Sequence, residues 1–214
     1  AGTGSEVTLA AVITDDETHY KYPINDFVLI PRFAVHDPEF TCGLPASITG
    51  QTGMDALTHA VEAFIGRSTT PYTRKMARQA VAFTRSYVGY VHAIAHSLGG
   101  RYGIPHGLAN AIILPHMLRA YGDAAAPKLA DLARMAGVVP ATARDSLAAE
   151  AFIDWVDRMN EALRIPKYVS GIRRSDIPEM AAHADAEANP LYPVPLLMDR
   201  LELEHMYEVV SGGM

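Results

Sequence analysis

The chain has 214 residues, 49% of them hydrophobic and 20% charged, with a formal net charge of −6, the balance of a globular domain rather than of a disordered or fibrous chain. No cluster of Lys and Arg offers the surface that nucleic acid needs, and no apolar run reaches the roughly 20 residues of a membrane span. The single cysteine, Cys42, excludes an internal disulfide, and with no basic-then-apolar leader in view a cytoplasmic protein is expected. The opening Ala1-Gly2-Thr3-Gly4-Ser5-Glu6 is a glycine-rich loop with no strand in front of it, either a tight turn or one wall of a nucleotide site. Residues 6–14 (EVTLAAVIT) are β-branched and apolar, 15–18 are turn-like, and 27–30 and 33–36 are further short apolar runs, which predicts a small β region. Lys21, between Tyr20 and Tyr22, reads as a solvated lysine or as a ribose or phosphate contact. After Leu44 apolar residues recur at three-and-four spacing and predict helices over 47–65, 72–85, 87–98, 108–121, 127–135, 141–163, 177–187 and 199–210. Residues 189–195, with three prolines, predict an extended loop.

Two short runs carry the chemistry. In Gly53-Met54-Asp55-Ala56-Leu57-Thr58-His59, Asp55 and His59 stand one helical turn apart and project from the same face. His92 and His96 repeat that spacing. The Gly99-Gly100 pair and Pro105 are expected to stop the helix and return His106 on a loop, so that a further imidazole reaches the same ion. One Asp-x-x-x-His pair alone is more often a side-chain hydrogen bond; two such pairs followed by Pro105-His106-Gly107 point to a metal site. A carboxylate with neutral imidazoles suits Fe²⁺, Zn²⁺, Co²⁺ or Mn²⁺ and leaves a coordination position open. Glu62, a turn beyond His59, reads as a salt-bridging or supporting residue rather than a ligand. His116 is expected to hydrogen-bond near a helix terminus, His19, His36, His183 and His205 to be surface or partly buried residues, and Trp155 to join Phe152 and Met159 in the core.

Gly53 to Ala60, then Val91 to Gly100 running into Tyr102 to Ile112, closely resemble the iron-containing (group III) alcohol dehydrogenases, as do the opening Ala-Gly-Thr-Gly-Ser-Glu-Val-Thr, Asp37-Pro38-Glu39 and Leu44-Pro45. The resemblance implies that Asp55, His59, His92 and His106 bind the divalent metal, Fe²⁺ or alternatively Zn²⁺. It places His96 beside nicotinamide and substrate as a proton relay, and Gly2, Thr3, Val12 and Lys21 at NAD or NADP. It further implies a small alcohol or aldehyde as substrate and self-association into a homo-oligomer. The implied fold is mainly α: an all-helical metal-binding catalytic domain over 44–214, behind a β-rich remnant, 1–43, of an otherwise absent α/β nucleotide-binding domain.

Two departures from the family pattern stand out. Nothing here has the strand, glycine-rich turn and helix of a complete dinucleotide fold. Family members also carry a further stretch between the helix near Tyr72 and the helix of His92, whereas here Val81 runs almost directly into Phe83. The sequence is therefore read as part of a longer protein, with a chain break expected near 81–83. The expected function is hydride transfer between an alcohol and NAD(P), the metal polarising the alcohol or carbonyl oxygen. The alternatives are an inactive metal-binding or oligomerisation domain and a metal-dependent hydrolase or lyase.

Overall fold

The structure, a computed structural model, describes residues 6, 8–37, 39–68, 70–71 and 88–213. Among them the chain is mainly helical behind a short β hairpin. Strand β1 (Ala10–Thr14) pairs antiparallel with β2 (Lys21–Asn25), Thr14 opposite Lys21 and Val12 opposite Pro23. Asp15 shapes the turn: its Oδ1 accepts from the amides of Glu17 at 3.0 Å and Thr18 at 2.7 Å and from the Thr18 hydroxyl at 2.9 Å. These bonds, Thr18's first, hold its carboxyl below the ordinary value. The first strand matches its apolar run, shortened to the part that finds a partner. The second goes unseen in the sequence because Pro23 weakens its signal, although an edge strand tolerates proline. The remaining apolar runs lack a partner ladder and form no strand. Phe27–Leu29 is a 3₁₀ turn capped by Asp26, whose Oδ1 accepts from the Val28 amide at 2.9 Å, and 33–36 is irregular.

The helices are α1 (Glu39–Cys42), α2 (Ala46–Ile65), α3 (Tyr90–Tyr102), α4 (His106–Tyr121), α5 (Ala126–Met135), α6 (Asp145–Ala162), α7 (Ile177–Ala188) and α8 (Arg200–Val210). The expected helix over 72–85 lies outside the described residues. Helix α4 is central, packing on α2, α3, α6 and α8; α3 also meets α7 and β2, while α5 pairs with α6 and α7 with α8. Helix α3 is buried on all sides from Tyr90 to Gly99 and α4 from Ala109 to Leu118, as helices apolar around their circumference must be. Ile94, Leu98, Ile113, Leu114 and Met117 are wholly enclosed, each such side chain contributing about 1.5–3 kcal/mol. No helix among the described residues is long and apolar enough to cross a membrane.

Two expectations about the site's helices are corrected. Gly99 and Gly100 do not end α3, which continues to Tyr102 and closes at Gly103, in the left-handed region at φ 65°, with its amide donating to the Gly99 carbonyl at 3.1 Å. The reason for glycine at 100 is the hairpin: a Cβ there would overlap the His19 carbonyl oxygen, so the hairpin turn settles directly on the helix backbone. His106 is the first residue of α4 rather than a loop residue, because Pro105 occupies the cap position, where its missing amide costs nothing.

Pro115 sits inside α4 and cannot donate to the Ala111 carbonyl one turn back. The buried Asn160 of α6 fills that gap, its Nδ2 donating to Ala111 O at 2.7 Å. Replacing Asn160 with Leu strips the carbonyl of this donor inside the core. Asn160→Leu is expected to lower stability by about 1–3 kcal/mol, the cost of an unsatisfied buried acceptor, read as a shifted midpoint in urea unfolding. A variant as stable as the parent would show that Ala111 O has another donor.

Candidate metal centre

Three helices bring the predicted ligands together. Helix α2 presents Asp55 and His59 on one face, α3 brings in His92, and α4 begins with His106. Ligand atoms of Asp55, His92 and His106 all lie within 4.8 Å of one another: Asp55 Oδ1 is 3.8 Å from His92 Nε2 and 3.6 Å from His106 Nε2. His59 joins through His92, the two Nε2 atoms being 3.2 Å apart. The side chains of Asp55 and His92 are 5% and 2% exposed, but that of His106 is 38% exposed, so the cluster opens on the His106 side. The register of α4 against α2 depends on Gly107, where a Cβ would stand 2.6 Å from the Gln51 carbonyl oxygen.

A second layer holds these groups. His92 Nδ1 lies 2.5 Å from Glu62 Oε2, and Glu62 Oε1 accepts from the Val91 amide at 3.0 Å. Burial pushes the Glu62 carboxyl up to about 8 against the downward pull of the Gly89 and Val91 amides. Glu62 is therefore the supporting residue the sequence suggested, and its bond to Nδ1 leaves His92 Nε2 facing the cluster. Asn110, one turn after His106, donates through Nδ2 to Asp55 Oδ1 at 2.5 Å and lies 3.1 Å from His106 Nε2.

The donor set fits a divalent cation. Burial, the leading cause at each imidazole, lowers His92 well below its ordinary value, His106 to about 4, and His59 as well. Neutral imidazoles are the form that coordinates metal. Asp55 with His92 and His106, and His59 lying against His92, make a nitrogen-rich set of the kind that Fe²⁺ or Zn²⁺ accepts.

His96 lies at the edge of the cluster, its ring stacked on His106 with centroids 5.1 Å apart and 6.3 Å from that of His92. Its Nδ1 is 2.8 Å from Glu187 Oε1 of α7, and the Tyr192 hydroxyl donates to the same oxygen at 2.8 Å. Of the residues expected at the cofactor, Val12 lies on β1 with 47% exposure. Lys21 Nζ reaches the α3 end, 3.2 Å from where a Cβ on Gly99 would stand, and its charge is felt at His106. Gly2 and Thr3 lie outside the described residues. Trp155 packs partly buried against the core beside Phe152, as expected. His116 does not sit near a helix terminus: it is within α4, bonded through Nε2 to the Lys167 carbonyl at 3.0 Å. Sequence reasoning missed Asn110, although its spacing from His106 repeats that of Asp55 and His59. It also missed Glu187 and Tyr192, which no local pattern ties to His96.

Residues 49–84 and 80–210 match the Fe-containing alcohol dehydrogenase family, C-terminal. 1,3-Propanediol dehydrogenase of Klebsiella pneumoniae is 36% identical over 223 aligned positions, which take in 88% of this chain and 58% of that protein. NAD-dependent methanol dehydrogenase of Bacillus methanolicus is 33% identical over 218 positions, covering 86% of this chain and 57% of that one. An alcohol dehydrogenase from Oenococcus oeni superposes with a TM-score of 0.88 at 30% identity, over 98% of this chain and 63% of its own. The chain thus spans less than two thirds of the length of these relatives. The two matched pieces meet at 80–84, where the sequence reading put a shortfall against the family; the break expected at 81–83 falls outside the described residues.

Gly107→Ala tests how tightly the cluster depends on the approach of α4 to α2. The added methyl collides with Gln51 O and shifts His106 away from Asp55. Affinity for Zn²⁺ is expected to fall about 10- to 100-fold, the usual effect of disturbing a ligand's support, while helical content by circular dichroism stays near the parent's. Unchanged zinc affinity would show that His106 contributes little to the site.

Proposed function

Because the chain belongs to the Fe-containing alcohol dehydrogenase family, we propose that it is the metal-binding catalytic part of an oxidoreductase that moves hydride between a small alcohol and NAD or NADP. The observation that carries this reading is the convergence of Asp55, His92 and His106, joined by His59, at a buried three-helix junction open on one side. The names of the propanediol and methanol enzymes support a small alcohol as substrate, and the second supports a nicotinamide cofactor.

In this reading Asp55 Oδ1 and a ring nitrogen from each of His59, His92 and His106 hold Fe²⁺ or Zn²⁺. When bound, the cation supplies Lewis acidity at an alcohol or carbonyl oxygen, and the nicotinamide supplies a hydride acceptor or donor. Glu62 keeps His92 Nδ1 occupied, so that ring offers Nε2 inward. Asn110 steadies the Asp55 carboxylate. The enclosed side chains of α3 and α4 exclude water from the closed side, and the exposed edge of His106 marks the entrance. His96, beside that entrance, accepts the alcohol proton and returns it in the reverse direction.

Residues 1–43 belong, in this proposal, to the nucleotide-binding part, with Gly2, Thr3, Val12 and Lys21 toward the cofactor. The docking of β2 against α3 and the position of Lys21 support it. A metal-dependent hydrolase is disfavoured because the nearby glutamates are already engaged: Glu62 by His92 and backbone amides, Glu187 by His96 and Tyr192.

Two variants separate the ligand from the relay. His92→Ala is expected to lose bound metal and NAD(P)-linked alcohol oxidation together. His96→Ala is expected to retain metal while turnover falls roughly 10²- to 10⁴-fold, the usual contribution of a positioned acid or base. The measurements are metal per chain and turnover with a small primary alcohol. If His96→Ala loses metal as readily as His92→Ala, His96 is a ligand and the proposed division of roles is wrong.

A further inference from the structure

We propose that Glu187, with Tyr192, is the positioning residue that fixes the tautomer and orientation of His96. The proposal rests on the assignment of His96 as the proton-handling group and adds what makes it competent. Glu187 is buried on α7, distant in sequence from His96, and reaches it because α7 packs against α3. Its Oε1 already accepts the Tyr192 hydroxyl at 2.8 Å. Burial first, and Glu187 next, hold that hydroxyl well above its ordinary value, so it stays an O–H donor. An oxygen that accepts from Tyr192 is an acceptor for His96 as well, so the 2.8 Å contact is His96 Nδ1–H donating to Glu187.

The consequence for His96 is specific. With its proton on Nδ1, the ring has its lone pair on Nε2, the nitrogen free of Glu187. Stacking on His106 stops the ring from turning away. A general base needs this tautomer, because Nε2–H has no lone pair with which to take the alcohol proton. The same logic operates wherever a buried carboxylate orients an imidazole through Nδ1–H. Tyr192 keeps Oε1 aimed at the ring and prevents the glutamate from rotating to another rotamer. Glu187 touches neither metal nor substrate in this arrangement and acts only through His96.

The test uses the full chain loaded with Zn²⁺, a diamagnetic ion, and reads the His96 ring nitrogens by ¹⁵N-edited NMR. The parent is expected to show His96 as the Nδ1–H form. Glu187→Leu is expected to shift it toward Nε2–H, while Glu187→Gln, whose amide oxygen still accepts, keeps Nδ1–H. In turnover, Glu187→Leu is expected to lower kcat roughly 10- to 100-fold with KM and zinc content unchanged, and Glu187→Gln to stay near the parent. Finding Nε2–H in the parent overturns the inference whether or not the leucine variant folds. An unchanged tautomer in Glu187→Leu, or loss of its zinc, overturns it too. Full turnover in His96→Ala would instead remove the role of His96, a failure told apart from these by the NMR result.

Discussion

Polar side chains buried in a helical core are stable only where each finds a partner, and here that requirement falls on the junction of α2, α3 and α4. A carboxylate and imidazoles taken out of water lose hydration that an apolar wall does not replace. The structure answers with a shell of fixed partners: Glu62 on His92, Asn110 on Asp55, Glu187 on His96. Each partner comes from a different helix than the group it holds: Glu62 reaches His92 from α2, Asn110 reaches Asp55 from α4, and Glu187 reaches His96 from α7. The packing of the helices and the positions of these side chains are therefore one constraint. A shift of α4 that loosened the core would also separate His106 from Asp55.

Close backbone approach is what brings these helices near enough. Gly107 lets α4 rest on the Gln51 carbonyl of α2, and Gly100 lets the hairpin turn rest on α3. Neither glycine is there for a turn. In both places the absent side chain is replaced by a neighbouring carbonyl, and the gain is in distance between elements rather than in local flexibility.

This explains which parts of the molecule the sequence revealed. The convergence of Asp55, His59, His92 and His106 was legible because residues a helical turn apart share one face, and two such faces were expected to meet. The helices were legible because α2, α6, α7 and α8 keep an apolar stripe, and even α3 and α4, enclosed along most of their length, lack strand alternation. Gly99-Gly100 misled because a glycine pair reads as a break in a chain considered alone, and only the hairpin's position gives it another purpose. Strand β2 was hidden by Pro23. Glu187 could not be found, since its link to His96 depends on how α7 lies on α3 and leaves no trace at fixed spacing.

The bond from Asn160 to the Ala111 carbonyl also makes the history of two positions directional. With Pro115 in place, Asn160 supplies a donor that the helix itself lacks. If position 115 first regained an amide, the carbonyl would have its helical donor back and Asn160 would become free to vary. In the opposite order the intermediate carries a bare acceptor in the core. Substitutions at these two sites are thus easier along one path than along the other, and loss of the donor at 160 costs least in a background where 115 has already changed.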